Sequence, residues 1–216
     1  MKRILFALVA TVLLAAQPSF AATIDWTDWI SSSTGFATGT AGTTGVTYDG
    51  EIMGAVFSGS GFWAPDATYT SASVDNGPST PGDLILLTGG FGATDTITFS
   101  NPVVDPVMAI LSLGAGGNTA EFDFNAPFTI LSSGVNCCWG NGPFTQSGNN
   151  LYGQEGNGVI QFTGTYTSIS WTNPTYESWY AFTVGVPQST SVPEPSTLLL
   201  LGSGLAGLAA ARRFRR

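Results

Sequence analysis

Short runs of alternating apolar and polar residues, separated by turn residues, dominate the middle of the chain. Thr94 to Phe99 alternates so that Ile97 and Phe99 share one face of a strand, and Ala120 to Phe124 repeats the pattern. Val107 to Leu113 is almost continuously apolar, which is typical of a central strand buried on both faces. These patterns predict β-strands rather than helices.

Further apolar runs extend this prediction. Leu84 to Leu87 and Trp179 to Val184 are expected to be strands, and Val159 to Thr163 followed by Ser168 to Thr172 is expected to form a hairpin. Turn signals such as Asp49-Gly50 separate the runs. Many short strands with intervening turns predict an all-β fold, a two-sheet antiparallel β-sandwich resembling a jelly roll.

Composition supports this fold class. The 216-residue chain contains 28 Gly and 12 Pro, and only 9% of its residues are charged. Helix-forming Glu, Lys and Gln are sparse, whereas Gly, Thr, Ser and aromatic residues are frequent. Residues 22–186 are long enough to form one domain with its own core.

The charges are segregated along the chain. All 14 acidic residues lie between Asp25 and Glu194, and the chain has no histidine. The basic residues stand only at the two ends: Lys2, Arg3, Arg212, Arg213, Arg215 and Arg216. The central domain therefore has no basic patch for nucleic acid, no histidine for base catalysis and no lysine for a Schiff base.

The N-terminus has the three parts of a secretory signal peptide. Lys2 and Arg3 form a basic start, an apolar run continues to Ala16, and small residues precede a cleavage site after Ala21. Cleavage after Ala22 is chemically equivalent. We expect residues 1–21 to be removed on export.

The C-terminus has a different three-part order. Residues 187–191 form a polar linker, and Pro193-Glu194-Pro195 follows within the segment 192–216. An uncharged apolar run at about 197–211 leads to a basic cluster, Arg212, Arg213, Arg215 and Arg216. This order resembles the PEP-CTERM sorting signal of exopolysaccharide-producing Gram-negative bacteria.

The resemblance implies that exosortase, a membrane-embedded processing enzyme, recognises Pro193, Glu194 and Pro195. The apolar run is shorter than the roughly 20 residues of a standard span, but flanking arginines can reach the interface. The positive-inside rule then keeps the arginines in the cytoplasm and the domain outside the inner membrane. After processing, the protein is expected at the cell surface or in the extracellular matrix.

Cys137 and Cys138 are the only cysteines, and they are neighbours. Export favours disulfides, although adjacent Cα atoms lie about 3.8 Å apart, below the usual disulfide range. A vicinal disulfide in a turn, two free thiols and bridges to a second molecule all remain open. A zinc site is disfavoured because two sulfurs without histidine are a poor ligand set.

Two other groups are candidates for ligand binding. Asp75, Asn76 and Asp83 surround a loop and offer oxygen ligands for a weak calcium site, or they are solvated turn residues. Trp63 and Trp139 lie in turn-like contexts, where an indole either stacks on a sugar ring or packs into the core. No other cofactor is indicated.

We expect a non-enzymatic surface or matrix protein associated with exopolysaccharide. The first alternative is a calcium-assisted carbohydrate-binding module. The second is a glycoside hydrolase with two carboxylates, for which the closest pairs in sequence are Glu121/Asp123, Asp49/Glu51 and Asp25/Asp28.

Overall fold

The computed structural model describes residues 21–188 and the isolated positions 202, 204, 205 and 212. Residues 1–20 of the predicted signal peptide and most of segment 192–216 lie outside the described residues. The strands, in chain order, are β1 (Ile24–Trp26), β2 (Asp28–Ser33), β3 (Phe36–Ala41), β4 (Thr44–Asp49), β5 (Gly54–Val56), β6 (Leu84–Leu87), β7 (Thr94–Val104), β8 (Val107–Leu113), β9 (Ala120–Phe124), β10 (Thr129–Ser133), β11 (Phe144–Ser147), β12 (Asn150–Gly153), β13 (Gly156–Gln161), β14 (Thr165–Thr172) and β15 (Tyr180–Pro187). Two 3₁₀ turns, Ser60–Trp63 and Asp66–Thr68, lie between β5 and β6.

The strands form two antiparallel sheets. The seven-stranded sheet has the order β10-β13-β8-β15-β6-β5, with β1 also paired to β15. The eight-stranded sheet has the order β11-β12-β9-β14-β7-β4-β3-β2. The prediction of an all-β, two-sheet antiparallel fold is confirmed, and the finer likeness to a jelly roll stays a prediction.

Strand β8 lies between two apolar layers, and all seven of its residues are buried. Its alternate side chains Met108 and Ile110 join the core between the sheets. Val107, Ala109 and Leu111 face the other way and pack in a second cluster with Trp63 and Tyr69 from the 3₁₀ region. The prediction that both faces of this strand are buried is confirmed.

The predicted hairpin of Val159–Thr163 and Ser168–Thr172 is wrong. The first segment belongs to β13, which pairs with β10 and β8, whereas the second belongs to β14 and pairs with β7 and β9. The chain therefore crosses from one sheet to the other after β13. Alternation identifies a strand and its buried face, but it carries no information about the partner strand.

Candidate functional site

A cleft of about 700 Å³ opens at one end of the seven-stranded sheet. Because β8 is antiparallel to β13 and β15, its C-terminal end lies beside the beginnings of both strands. The loop 134–143 between β10 and β11, which we call the cysteine loop, closes the remaining side. The sulfur, aromatic and acidic residues that line the cleft are Cys137, Cys138, Trp139, Glu155, Glu177 and Trp179.

The side chain of Asn136 stabilises the conformation of the cysteine loop. Its side chain is 3% exposed, and its amide oxygen accepts the backbone N–H groups of Cys138 at 3.0 Å and Trp139 at 3.1 Å. Its amide nitrogen donates to the carbonyl of Phe62 at 2.7 Å and to the hydroxyl of Tyr69 at 3.0 Å. Sequence reasoning missed this residue, although an asparagine that starts a turn often bonds the backbone two residues on.

Cys137 and Cys138 are joined to each other by a disulfide, and both residues are exposed at the cleft. Of the alternatives that the sequence left open, the structure contains the vicinal disulfide. The backbone N–H of Cys137 also donates to the carbonyl of Ala64 at 2.7 Å. This bond ties the disulfide turn to the 3₁₀ region.

Trp139 and Trp179 form an aromatic wall of the cleft. Both are half-buried, and their rings meet edge to face with centroids 5.0 Å apart. Trp139 also stacks on Phe62, with centroids 5.5 Å apart and planes 16° apart. Trp179 was expected to begin a strand, but it precedes β15 and lines the cleft.

Trp63 has the opposite environment. Only 1% of it is exposed, its indole N–H donates to the carbonyl of Gly82 at 3.2 Å, and its ring meets Tyr69 edge to face. Of the two alternatives for Trp63, the structure therefore supports burial in the core. No ring face is free to stack on a sugar.

Glu177 is the buried acid of the cleft. It is 5% exposed, and its Oε2 has no hydrogen-bond partner. Its backbone N–H donates to the backbone carbonyl of Thr88 at 2.8 Å. Burial raises the pKa of the Glu177 carboxyl to about 8; the backbone amide of Gly114 opposes this rise, and the charge of Glu155 adds to it. The group is therefore mostly protonated at neutral pH.

Glu155 supplies a second carboxyl group from the turn before β13. Glu155 and Ser112 both have positive φ, 60° and 57°, which is costly for residues other than glycine. The hydroxyl of Ser112 donates to Oε2 of Glu155 at 3.3 Å. The buried Asn157 connects the two backbones, accepting from the N–H of Ser112 at 2.8 Å and donating to the carbonyl of Glu155 at 2.9 Å.

Gly140 allows the cysteine loop to approach Glu155. Its φ is +100°, and a Cβ built there would lie 2.5 Å from the Cβ of Glu155. Any larger residue would therefore be strained and would displace the carboxyl-bearing side chain. The glycine fixes the width of the cleft at this point.

The candidate calcium ligands have partners within the protein. The side chain of Asp75 accepts the hydroxyl of Thr23 at 2.8 Å, and the amide of Asn76 bonds both backbone groups of Ile24. Among the residues that the structure describes, no group of three or more His, Cys, Asp or Glu side chains is placed to hold a metal ion.

Asp83 is anchored elsewhere. It is 2% exposed, and its two oxygens accept the backbone N–H groups of Trp29 and Ser58. Burial raises its pKa, and the two hydrogen bonds oppose that rise. Asp75, Asn76 and Asp83 thus join the segment before β6 to the first strands.

The carboxyl groups that the fold brings to the cleft are not the pairs that are close in sequence. Glu121 and Asp123 lie on β9 in the other sheet, and Glu51 accepts the backbone amides of Thr88 and Gly89. Glu155 and Glu177 come from different loops, so no spacing rule would have paired them.

Comparison with known proteins identifies the C-terminus. A family model for the PEP-CTERM protein-sorting motif matches residues 191–216. The chain therefore carries a PEP-CTERM sorting domain, as the sequence predicted, and the motif indicates export and exosortase-dependent sorting to the cell surface. No curated protein and no solved structure gives a significant match.

The sorting residues themselves are mostly beyond the described part of the chain. Pro193, Glu194, Pro195, Arg213, Arg215 and Arg216 lie outside it, and Arg212 is helical and exposed. Within the described ranges, no helix has both the length and the hydrophobicity required to cross a membrane.

Proposed function

We propose that this chain is a non-enzymatic cell-surface protein that binds extracellular polysaccharide through the cleft beside the cysteine loop. The observation that carries the proposal is the half-buried pair Trp139 and Trp179 on the wall of that cleft. Aromatic rings can pack against the apolar C–H face of a sugar, while the polar lining can bond its hydroxyl groups.

The polysaccharide test uses the full chain in a polyoxyethylene detergent, which has no sugar headgroup. Retention on polysaccharide purified from the producing organism is measured with calcium and with chelator. We expect retention in both, and at least about tenfold weaker binding for Trp139→Ala or Trp179→Ala, equivalent to about 1.4 kcal/mol.

Phe36→Ala is the matched control, because Phe36 is a 42%-exposed aromatic residue on β3 of the other sheet. This variant is expected to bind like the wild type. Equal binding by all variants would remove the cleft from the proposal. Loss of retention with chelator alone would instead favour the calcium-assisted binding module.

A two-carboxylate glycoside hydrolase is the second candidate, and the pairing of Glu155 with Glu177 favours it. A protonated carboxyl beside a carboxylate is the combination that an acid–base hydrolase uses. Incubation with the same polysaccharide distinguishes the two functions. Release of reducing ends that is abolished in Glu177→Gln would establish the enzyme and overturn the non-enzymatic assignment.

For the C-terminus we propose that exosortase reads Pro193, Glu194 and Pro195, while the apolar run at 197–211 anchors the chain in the inner membrane. Replacing the three residues by alanine should leave unprocessed protein in that membrane. Ser189→Ala/Thr190→Ala, just before the motif, is the control and should mature normally. Maturation of the triple variant at the normal rate would contradict the assignment.

A further inference from the structure

The cleft contains acidic groups that nothing in the domain can neutralise. Glu177 is 5% exposed, its Oε2 has no hydrogen-bond partner, and its carboxyl faces the added charge of Glu155. Every lysine and arginine of the chain lies before residue 4 or after residue 211, and there is no histidine. A cation for this site must therefore come from outside the domain.

An unpaired carboxylate is costly in such a site. Burial disfavours the charged form unless an opposite charge or hydrogen-bond donors compensate for the lost water. Ser112 gives Glu155 one donor at 3.3 Å, and Glu177 is left with one oxygen unbonded. A ligand that brings both positive charge and several N–H donors would satisfy both carboxyl groups together.

The cleft suits an ammonium group better than a metal ion. Calcium takes about six to eight oxygen ligands, whereas the carboxylates here are two and the described residues contain no larger acidic cluster. An ammonium group has only three donors to satisfy, and its charge is also attracted to the rings of Trp139 and Trp179.

We propose that the cleft selects saccharides that carry a free, protonated amino group, with the ammonium between Glu155 and Glu177 and the sugar ring against Trp139 and Trp179. This inference rests on the proposed polysaccharide-binding function and specifies its ligand as an amino sugar. Binding then couples to ionisation, because an ammonium beside Glu177 favours the carboxylate and expels its proton.

The test is calorimetric titration of the full chain, in the same detergent, with three β-1,4-linked oligosaccharides of equal length. They differ only at C2, which carries an ammonium in glucosamine, an acetamide in N-acetylglucosamine and a hydroxyl in glucose. We expect at least about tenfold tighter binding of the glucosamine oligomer than of either neutral oligomer, with a strong decrease at high salt.

Titrations at about pH 5.5, where the free amino sugar and Glu177 both carry a proton before binding, add a direct readout of proton release when two buffers of different ionisation enthalpy are compared. Wild-type protein should release a proton when it binds the glucosamine oligomer, whereas Glu177→Gln should release none and lose the preference. Glu121→Gln is the control, because Glu121 is a half-buried glutamate on β9 outside the cleft. This variant should keep both the proton release and the preference for the glucosamine oligomer.

The outcomes separate this inference from the function on which it rests. Equal affinity for the three oligomers, together with retention on the native polysaccharide, overturns amine selection and leaves polysaccharide binding in place. If no oligomer binds and the protein is not retained on the native polysaccharide, both amine selection and polysaccharide binding are overturned. Binding of calcium chloride alone that is lost in Glu177→Gln would show that the cation is a metal and overturn the inference.

Discussion

Asp83 and Glu177 are both acids buried just before strands of the seven-stranded sheet, 2% and 5% exposed, yet their surroundings differ. Both oxygens of Asp83 accept backbone amides, from Trp29 and Ser58. One oxygen of Glu177 has no partner, and the residue lines the cleft. Burial is common to both carboxyl groups, and the difference lies in whether the protein itself supplies partners for both oxygens.

The largest expected effect comes from removing Asp83, whose two oxygens both have hydrogen-bond partners. Asp83→Ala leaves the buried N–H of Trp29 and the partly buried N–H of Ser58 without acceptors, and we expect it to lower the free energy of unfolding by about 2–5 kcal/mol. Urea denaturation at constant pH measures this loss. Asp75→Ala, which removes a single exposed bond to Thr23, is the control and should cost less than about 1 kcal/mol. A cost below about 1 kcal/mol for Asp83→Ala would contradict its structural role.

Glu177, whose Oε2 has no hydrogen-bond partner, should make the stability of the protein depend on pH. Burial raises the pKa of Glu177 from 4.5 to about 8, so the folded state binds more protons than the unfolded state between these values. Stability is therefore highest below about pH 4.5 and falls by about 4 kcal/mol as the pH rises to about 8, because ionising the buried carboxyl costs about 1.4 kcal/mol per pKa unit. Urea denaturation across this range measures the loss.

Glu177→Gln isolates this contribution. The pKa of Asp95 is raised only to about 6, mainly by burial, so Glu177 alone of these two still titrates between about pH 6 and 8. The variant should flatten stability between about pH 6 and 8, and it should reduce but not abolish the slope between about pH 4.5 and 6, where Asp95 still contributes. An unchanged slope above about pH 6 would show that Glu177 is already ionised in the folded protein.

A smaller loss of stability is expected in the cysteine loop, where the hydrogen bonds of Asn136 can be compared with the disulfide. Asn136→Ala removes four hydrogen bonds around the cysteine loop and should cost about 2–3 kcal/mol. Replacing Cys137 and Cys138 by serine should cost about 1 kcal/mol or less, because a link between neighbours barely restricts the unfolded chain. Thermal unfolding of both variants checks the order, and a larger loss for the cysteine variant would reverse it.

The smallest effect tests the shape of the cleft. Gly140→Ala should cost about 1–2 kcal/mol and weaken ligand binding, because its Cβ would collide with Glu155. Gly117→Ala is the matched control, since Gly117 also has a positive φ, +86°, but has nothing within 4 Å. It should cost about 1 kcal/mol and leave binding intact. Equal binding by both variants would show that Glu155 tolerates displacement.

Part of the candidate site was visible in the sequence and part was not. Trp139 was a candidate for sugar contact or burial because it lies in a turn-like context, and Cys137 and Cys138 were candidates for a disulfide because export favours disulfides. Glu177, Glu155 and Asn136 gave no such signal, since one acid or amide among many in a Gly-rich chain looks like an ordinary turn residue. Their significance depends on which loops meet at the end of the sheet.

The sequence by itself determined the sorting signal, the all-β class and the absence of cationic side chains from the central domain. Those properties depend on local order and composition, which the chain carries without folding. Tertiary structure decided that Trp63 is buried while Trp179 reaches the cleft, and that β13 and β14 belong to different sheets. It also brought Glu155 and Glu177 together, because contacts between residues far apart in sequence depend on strand pairing, which alternation does not specify.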